Sequence, residues 1–393
     1  MTTAVIVDAI RTPSGRGKPG GALNGFHPAD LLSHTLRAIV ERNDLDPGII
    51  DDVIAGCVTQ GGQQSANIAR NAILGAGFPE SVPGTTIDRQ CGSSQQAATF
   101  AAQSIIAGTH DVVIACGVES MSRLPIGAAA GGQDPFGTML HERYPIGLVN
   151  QGVSAELIAA RWGIDRDALD AYAARSHKRA AATWAAGGFD REVIPVTTPD
   201  GSIIAADETV RSGTTVEGLA GLPAAFFSDA LADRFPEIGW RITPGNSSPL
   251  TDGGSAALIM SEERAAQLGL TPRARFVSFA VVGSDPIEML TGVIPATRRI
   301  LDRSGLTIDD IDAFEVNEAF ASVPLAWQQE FGVDDAWLNP RGGAIALGHP
   351  LGASGTKLLA TLLGQLEATG GRYGLQTMCE GGGMANATII ERL

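Results

Sequence analysis

An α/β fold built from two duplicated domains with an inserted loop domain is predicted by three features of the sequence. Short β-rich runs alternate with longer amphipathic helices, the pattern of helices packed on parallel or mixed sheets. The two ends of the chain echo each other in order and spacing. Between them, from about Ser120 to Thr243, the composition shifts toward Gly/Pro-rich and irregular segments. The chain has 393 residues, 44% apolar and 18% charged, which is too long for one ordinary domain and ample for a core.

The strands expected in order are Ala4–Ala9, Asp52–Cys57, Gly84–Asp88, Asp111–Gly117 and Ser255–Ser261. Ala274–Val282, Ala313–Val316, Tyr373–Cys379 and Ala385–Arg392 follow in the second half. Helices are expected over Pro28–Arg42, Ile68–Ala76, Ser93–Ala107, Ala155–Arg161, Arg166–Ala186 and Ser354–Thr369, and Ser261 reads as an N-cap before Glu262 and Glu263. The echo pairs 45–54 with 306–314, each a polar turn entering a strand. It then pairs the helix after Cys91-Gly92-Ser93-Ser94 and its following strand with the helix after Gly352-Ala353-Ser354-Gly355 and the strand 373–379. The expected division is 1–119 and 244–270 for the first domain, 120–243 for the inserted loop domain, and 271–393 for the second domain. A structureless stretch as long as 120–243 would be out of place in a compact protein, so it reads as a lid with substrate contacts.

A net charge of −15 with no lysine/arginine cluster argues against nucleic-acid binding. Four cysteines without short-range pairing fit a reducing compartment, and no Cys/His spacing fits a metal site. The first residues, Met1 to Arg11, read as a strand rather than a secretory leader, and no apolar run has membrane-spanning length. The expectation is a cytoplasmic protein without membrane contact.

Two cysteines stand in unusual settings. Cys91 lies just before a good helix former, where the helix end would stabilise a thiolate and its N–H groups an oxyanion. A free cysteine often only packs, so its local context leaves nucleophile and packed thiol both open. Cys379 ends a strand and precedes Gly381, Gly382 and Gly383, whose N–H groups are free to meet a bound oxygen. A second thiol there is suited to exchanging a proton with a substrate carbon. His349 sits among glycines with Pro350 stiffening its turn, and Asn317 with Glu318 follows a strand at the edge where α/β sheets bind ligands. Cys57 and Cys116, inside apolar strands, read as packed thiols.

Together, Cys-Gly-Ser at 91–93, Asn-Glu-Ala-Phe at 317–320, Gly-His-Pro at 348–350 and Cys-x-Gly-Gly-Gly at 379–383 resemble the thiolase family. Ile-Arg-Thr-Pro at 10–13 and Gly-Val-Glu-Ser-Met-Ser at 117–122 extend the resemblance over essentially the whole chain. It implies a five-layered α/β/α/β/α core and a ping-pong reaction on 3-ketoacyl-CoA. In that scheme Cys91 is the nucleophile, His349 its activator, and Cys379 the acid/base. Asn317 holds a water at the thioester oxygen, and the N–H groups of Cys91 and Gly381 form a second oxyanion hole. Coenzyme A and acetyl-CoA would be substrates, with no permanently bound cofactor and no metal. Arg211, Phe226, Ser248 and Phe320 would contact the CoA moiety, and the assembly would be a homodimer or homotetramer.

Two departures bear on the acyl group. Short-chain members carry His-Met-Gly where this chain has Asn150-Gln151-Gly152, and a Leu-Arg pair where it has Ser94-Gln95-Gln96. Both lean toward degradative thiolases with bulkier acyl groups, in the direction of actinobacterial steroid or fatty-acid breakdown. The competing expectations are an acetoacetyl-CoA-forming acetyltransferase, a ketoacyl-synthase-type condensing enzyme and a non-catalytic CoA-binding relative.

Overall fold

The computed structural model describes residues 2–198 and 200–393. Met1, at the start of the expected first strand, and Pro199, within the expected irregular segment 197–202, lie outside the described residues. The strands are β1 (Ala4–Arg11), β2 (Gly15–Arg16), β3 (Asp52–Gly56), β4 (Gly84–Ile87), β5 (Val112–Ser120), β6 (Val196–Thr197), β7 (Ile203–Ile204), β8 (Thr251–Ser261), β9 (Ala274–Gly283), β10 (Ala313–Val316), β11 (Tyr373–Glu380) and β12 (Met384–Arg392). The helices of the two copies are α1 (Pro28–Arg42), α2 (Ile68–Gly75) and α3 (Ser93–Ile106) in the first half. The central stretch holds α4 (Gly137–Arg143), α5 (Gln151–Arg161), α6 (Arg166–Ala185), α7 (Val216–Ala220) and α8 (Asp229–Arg234). After it come α9 (Glu262–Gln267), α10 (Val293–Ser304), α11 (Ser322–Phe331), α12 (Ala344–Leu347) and α13 (Ser354–Thr369).

The expected repeat is visible in the strand order. β10, β11, β12 and β9 run to β1, β8, β5 and β3 in one sheet, with β4 added at the far edge and β2 paired to β8. In each copy two strands pair in parallel, β3 with β5 and β10 with β11; β4 adds to β3 in parallel at the edge, and the remaining pairs of this sheet are antiparallel. The copies meet where β1 pairs with β9 over two residues. β8 is buried at every position, as a strand covered on both faces must be. Its Ala256, Leu258 and Met260 face α1 and α2, whereas Ala257 and Ile259 face α3 and α13. On the other copy, Phe314, Leu375 and Ile389 face α10 and α11, so helices α3 and α13 form the middle of five layers.

Two sizeable helices, α10 and α11, escaped the sequence expectation. Each carries a proline, Pro295 and Pro324, at its third residue. In the first turn the missing N–H has no intrahelical partner to lose, so a residue that looks like a breaker is tolerated. α5 also begins earlier than expected, because the Asn150 side chain accepts from the N–H groups of Gly152 and Val153 and caps it. Ser261 caps α9 as expected, accepting from Arg264 N.

The loop segment is held to the core by buried charge. Arg11, fully enclosed, donates to Asp207 Oδ1 and Oδ2 at 2.7 and 3.0 Å and to Glu192 Oε1 at 2.7 Å. Burial pushes the Asp207 carboxyl upward, but Arg11 outweighs it and holds the group below its ordinary value. Glu318 anchors α6 in the same way, accepting from Tyr172 Oη, Ser176 Oγ, Asn339 Nδ2 and Ile345 N.

Candidate active site

Cys91 sits on the turn into α3. Gln90 before it adopts φ +47°, a left-handed conformation that costs a non-glycine residue free energy. Ser93 stabilises that turn: its Oγ donates to Gln90 O at 2.6 Å and accepts from Arg89 N at 2.9 Å. Gly92 lets the turn pack against Glu380, whose Oε1 a Cβ there would displace. Opposite, β11 delivers Cys379, and the turn through Gly382 and Gly383 (φ +80° and +79°) carries the chain back into β12. Gly381 lies against the side chains of Gln90 and Gln151.

His349 follows Gly348, whose φ of +79° turns the chain sharply. The hydroxyl of Ser354, the first residue of α13, donates to Pro350 O at 2.9 Å. Its oxygen therefore accepts from His349 Nδ1–H at 2.6 Å, which leaves Nε2 with a free lone pair. Asn317 Nδ2 stands 3.5 Å from that Nε2 and 3.8 Å from Cys379 Sγ. The Asn317 Oδ1 is buried without a protein partner.

All three reactive groups are buried and neutral. Burial, then Cys379 and Glu380, pushes the Cys91 thiol well above its ordinary value, while a hydrogen bond from Gln151 pulls the other way. Desolvation of Cys91 thus works against the thiolate that the helix end would favour. Cys379 is pushed up to about 12, chiefly by burial. His349 is pulled down to about 3, by burial first and Lys357 second. Cys57 and Cys116 are packed in the outer core, also driven upward by burial.

A cavity of about 380 Å³ opens onto this group, with His349, Gln151, Ser248, Phe226 and Phe320 in its wall. Its roof is made by two segments that pair with each other: Ser248 N donates to Ala319 O and Ala321 N to Asn246 O. Phe226 and Phe320 meet edge to face with ring centres 5.9 Å apart. Cys91 lies behind Met121 and Leu351 of the wall, in one apolar cluster with them. Arg211 is not brought to the cavity. It is exposed, and its backbone N–H donates to His177 Nδ1 at 3.1 Å. Sequence reasoning missed Ser354, Gln151 and Glu380 as parts of the site. Of these only Gln151 carried a signal, as a departure from the short-chain pattern. Among the described residues no three His, Cys, Asp or Glu side chains cluster as metal ligands.

A neutral imidazole and two neutral thiols beside a largely apolar cavity suit the movement of an acyl group through a protein thioester; fold and site define an acyltransferase. Residues 4–263 match the thiolase N-terminal domain and residues 270–392 the thiolase C-terminal domain. The steroid 3-ketoacyl-CoA thiolase FadA6 of Mycobacterium tuberculosis is 50% identical over 402 residues, covering 100% of this chain and 95% of that protein. A 3-ketoacyl-CoA thiolase of Cronobacter sakazakii is 45% identical, with both chains covered completely. The crystal structure of the Bacillus anthracis acetyl-CoA acetyltransferase matches with a TM-score of 0.89 at 37% identity, over 100% of this chain and 99% of that one. The chain belongs to the thiolase family.

Proposed function

We propose that the protein cleaves a 3-ketoacyl-CoA with coenzyme A, giving acetyl-CoA or propionyl-CoA and a shortened acyl-CoA, with Cys91 as the nucleophile. The observation that carries this reading is the convergence of Cys91, Asn317, His349 and Cys379, from four separate segments, behind one cavity.

His349 Nε2 takes the proton of the Cys91 thiol as sulfur attacks the 3-keto carbon; because both groups rest neutral, the proton moves as the S–C bond forms. The C2–C3 bond breaks, its electron pair stays on C2, and the Cys379 thiol protonates C2. Acetyl-CoA leaves. CoA then attacks the thioester, giving its thiol proton to the Cys379 thiolate, while His349 returns its proton to the departing Cys91 sulfur. The N–H groups of Cys91 and Gly381 would carry the carbonyl oxygen's charge, and Asn317 would hold a water at the thioester oxygen. Phe226, Ser248 and Phe320 would line the pantetheine channel, and Arg211 would meet the cofactor's outer end.

The acyl group we propose is bulky and apolar. Met121, Ile126, Leu250 and Leu351 line the cavity, and the similar Mycobacterium tuberculosis protein is named for steroid substrates. We further propose a cytoplasmic homodimer or homotetramer. Among the described residues no helix is long and apolar enough to cross a membrane. Thiolysis assays across 3-ketoacyl-CoAs from acetoacetyl to long-chain and cyclic test the substrate. The bulky thioesters should show the highest kcat/KM, and a clear preference for acetoacetyl-CoA would overturn that choice in favour of an acetyl-CoA acetyltransferase.

A further inference from the structure

Lys357 is the fourth residue of α13 and is almost wholly buried. A buried cation in the first turn of a helix opposes both desolvation and the helix dipole, so its placement must be compensated. Its Nζ donates to Leu347 O at 2.6 Å and Gly348 O at 2.8 Å, the two carbonyls immediately before His349. From the other side, His349 N donates to Thr251 Oγ1 of β8 at 3.0 Å. The loop that presents the imidazole is therefore clamped between α13 and β8.

We propose that Lys357 is a positioning residue of the reaction: its Nζ, held on Leu347 O and Gly348 O, pins the turn that presents the His349 imidazole. The inference rests on His349 being the base of the proposed function. The groups facing Lys357 are Arg11 on β1, Glu192 and Asp207 from the loop segment, Glu315 on β10 and His349 itself. Those at the imidazole are Ser354 on Nδ1, Asn317 near Nε2, and Lys357. Of these only Lys357 brings a positive charge to the ring. Burial draws Lys357 itself down to about 7, and the acids around it work against that. Because a neighbouring cation lowers an imidazole pKa, removing it moves the His349 titration to higher pH. A base must be unprotonated to act, so the acid limb of kcat/KM follows in the same direction.

The test measures kcat/KM for thiolysis against pH in wild type, Lys357→Arg and Lys357→Met, together with an NMR titration of the His349 ring. In wild type the ring should stay neutral from pH 8 to about 5, well below the usual histidine range of about 6.5. Lys357→Met should move the ring titration and the acid limb up by roughly one pH unit, with an added loss on the order of tenfold at pH 8 from loosened presentation. Lys357→Arg, which keeps the charge, should retain the wild-type limb. A Lys357→Met profile parallel to wild type at every pH would overturn the inference. Should Lys357→Met not fold, the wild-type ring still decides: titration at the ordinary value sinks the proposal. His349→Ala with undiminished thiolysis would instead remove the base assignment, and this inference with it.

Discussion

The two copies of the repeated unit, β3–α3–β5 and β10–α13–β11, place a glutamate at the same point and use it in opposite ways. Glu119 and Glu380 stand at the ends of β5 and β11, separated in the chain by the same interval as Ser93 and Ser354 at the starts of α3 and α13. Both are buried. Glu119 accepts four hydrogen bonds, from Val58 N, Thr59 N, Gln64 Nε2 and Gly352 N. The last of these ties the first copy to the turn that follows His349. Neither oxygen of Glu380 has a protein partner, and Gly92 beside it leaves only the room the carboxyl fills. Burial pushes both carboxyls upward. At Glu119 four donors pull back, whereas at Glu380 only Arg89 does, and the group reaches about 8. The same duplication thus yields a satisfied anchor in one copy and a neutral, unpartnered acid beside the reactive thiols in the other. Unsatisfied polar groups concentrate where chemistry is done.

The largest expected effect tests whether the copies divide the reaction as well as the structure. Cys91→Ala, on the first copy, should abolish acyl-enzyme formation and cut thiolysis on the order of 10⁴-fold or more. Intact-protein mass spectrometry after acetyl-CoA treatment reads the adduct. Cys379→Ala, on the second copy, should still form the adduct while α-proton exchange falls by roughly 10²–10⁴-fold. If Cys379→Ala also fails to acylate, the two thiols do not have separate tasks. In wild type, iodoacetamide should reach Cys91 before Cys57 or Cys116, with protection by acetyl-CoA.

Most of this frame was legible in the sequence because it is written locally. Strand alternation gave β3, β5, β10 and β11, helix patterning gave α3 and α13, and the four motifs named the residues now found around one cavity. What stayed hidden depends on contacts between distant segments. Nothing near Ser354 announces that its hydroxyl sets the His349 tautomer, and nothing near Lys357 announces that it clamps Leu347 and Gly348. Likewise nothing near Asp207, four residues before Arg211, announces that it is a buried partner of Arg11. The setting of Cys91 is only half legible for a related reason. A helix end is visible in sequence, but the depth at which it is buried is not.

The paired glutamates give the next effect in size. Glu119→Gln replaces one carboxylate oxygen with an NH₂ facing N–H donors and should destabilise the fold by about 3 kcal/mol in denaturant unfolding. Glu380→Gln keeps the shape without a charge, in a place where no donor awaits one, and should cost less than 1 kcal/mol at pH 7. Equal losses in the two variants would break the contrast between anchor and unpartnered acid.

The smallest effect is a slope with pH. The Glu380 pKa is raised in the folded state, so its contribution to stability is fully present below the unfolded value near 4.5 and is lost as pH rises through about 8. Between pH 6.5 and 8 this amounts to at most ~2 kcal/mol, since one pKa unit corresponds to about 1.4 kcal/mol. Glu380→Gln has nothing to ionise and should flatten that part of the curve, so the variant gains on wild type as pH rises. Glu119 does not mask the comparison, because it is unchanged in both proteins. Unfolding free energies of wild type and Glu380→Gln at pH 6.5 and 8 suffice to decide: if their difference is the same at both pH values, Glu380 does not take up a proton on folding, and the second copy's acid is held ionised by something other than the groups now around it.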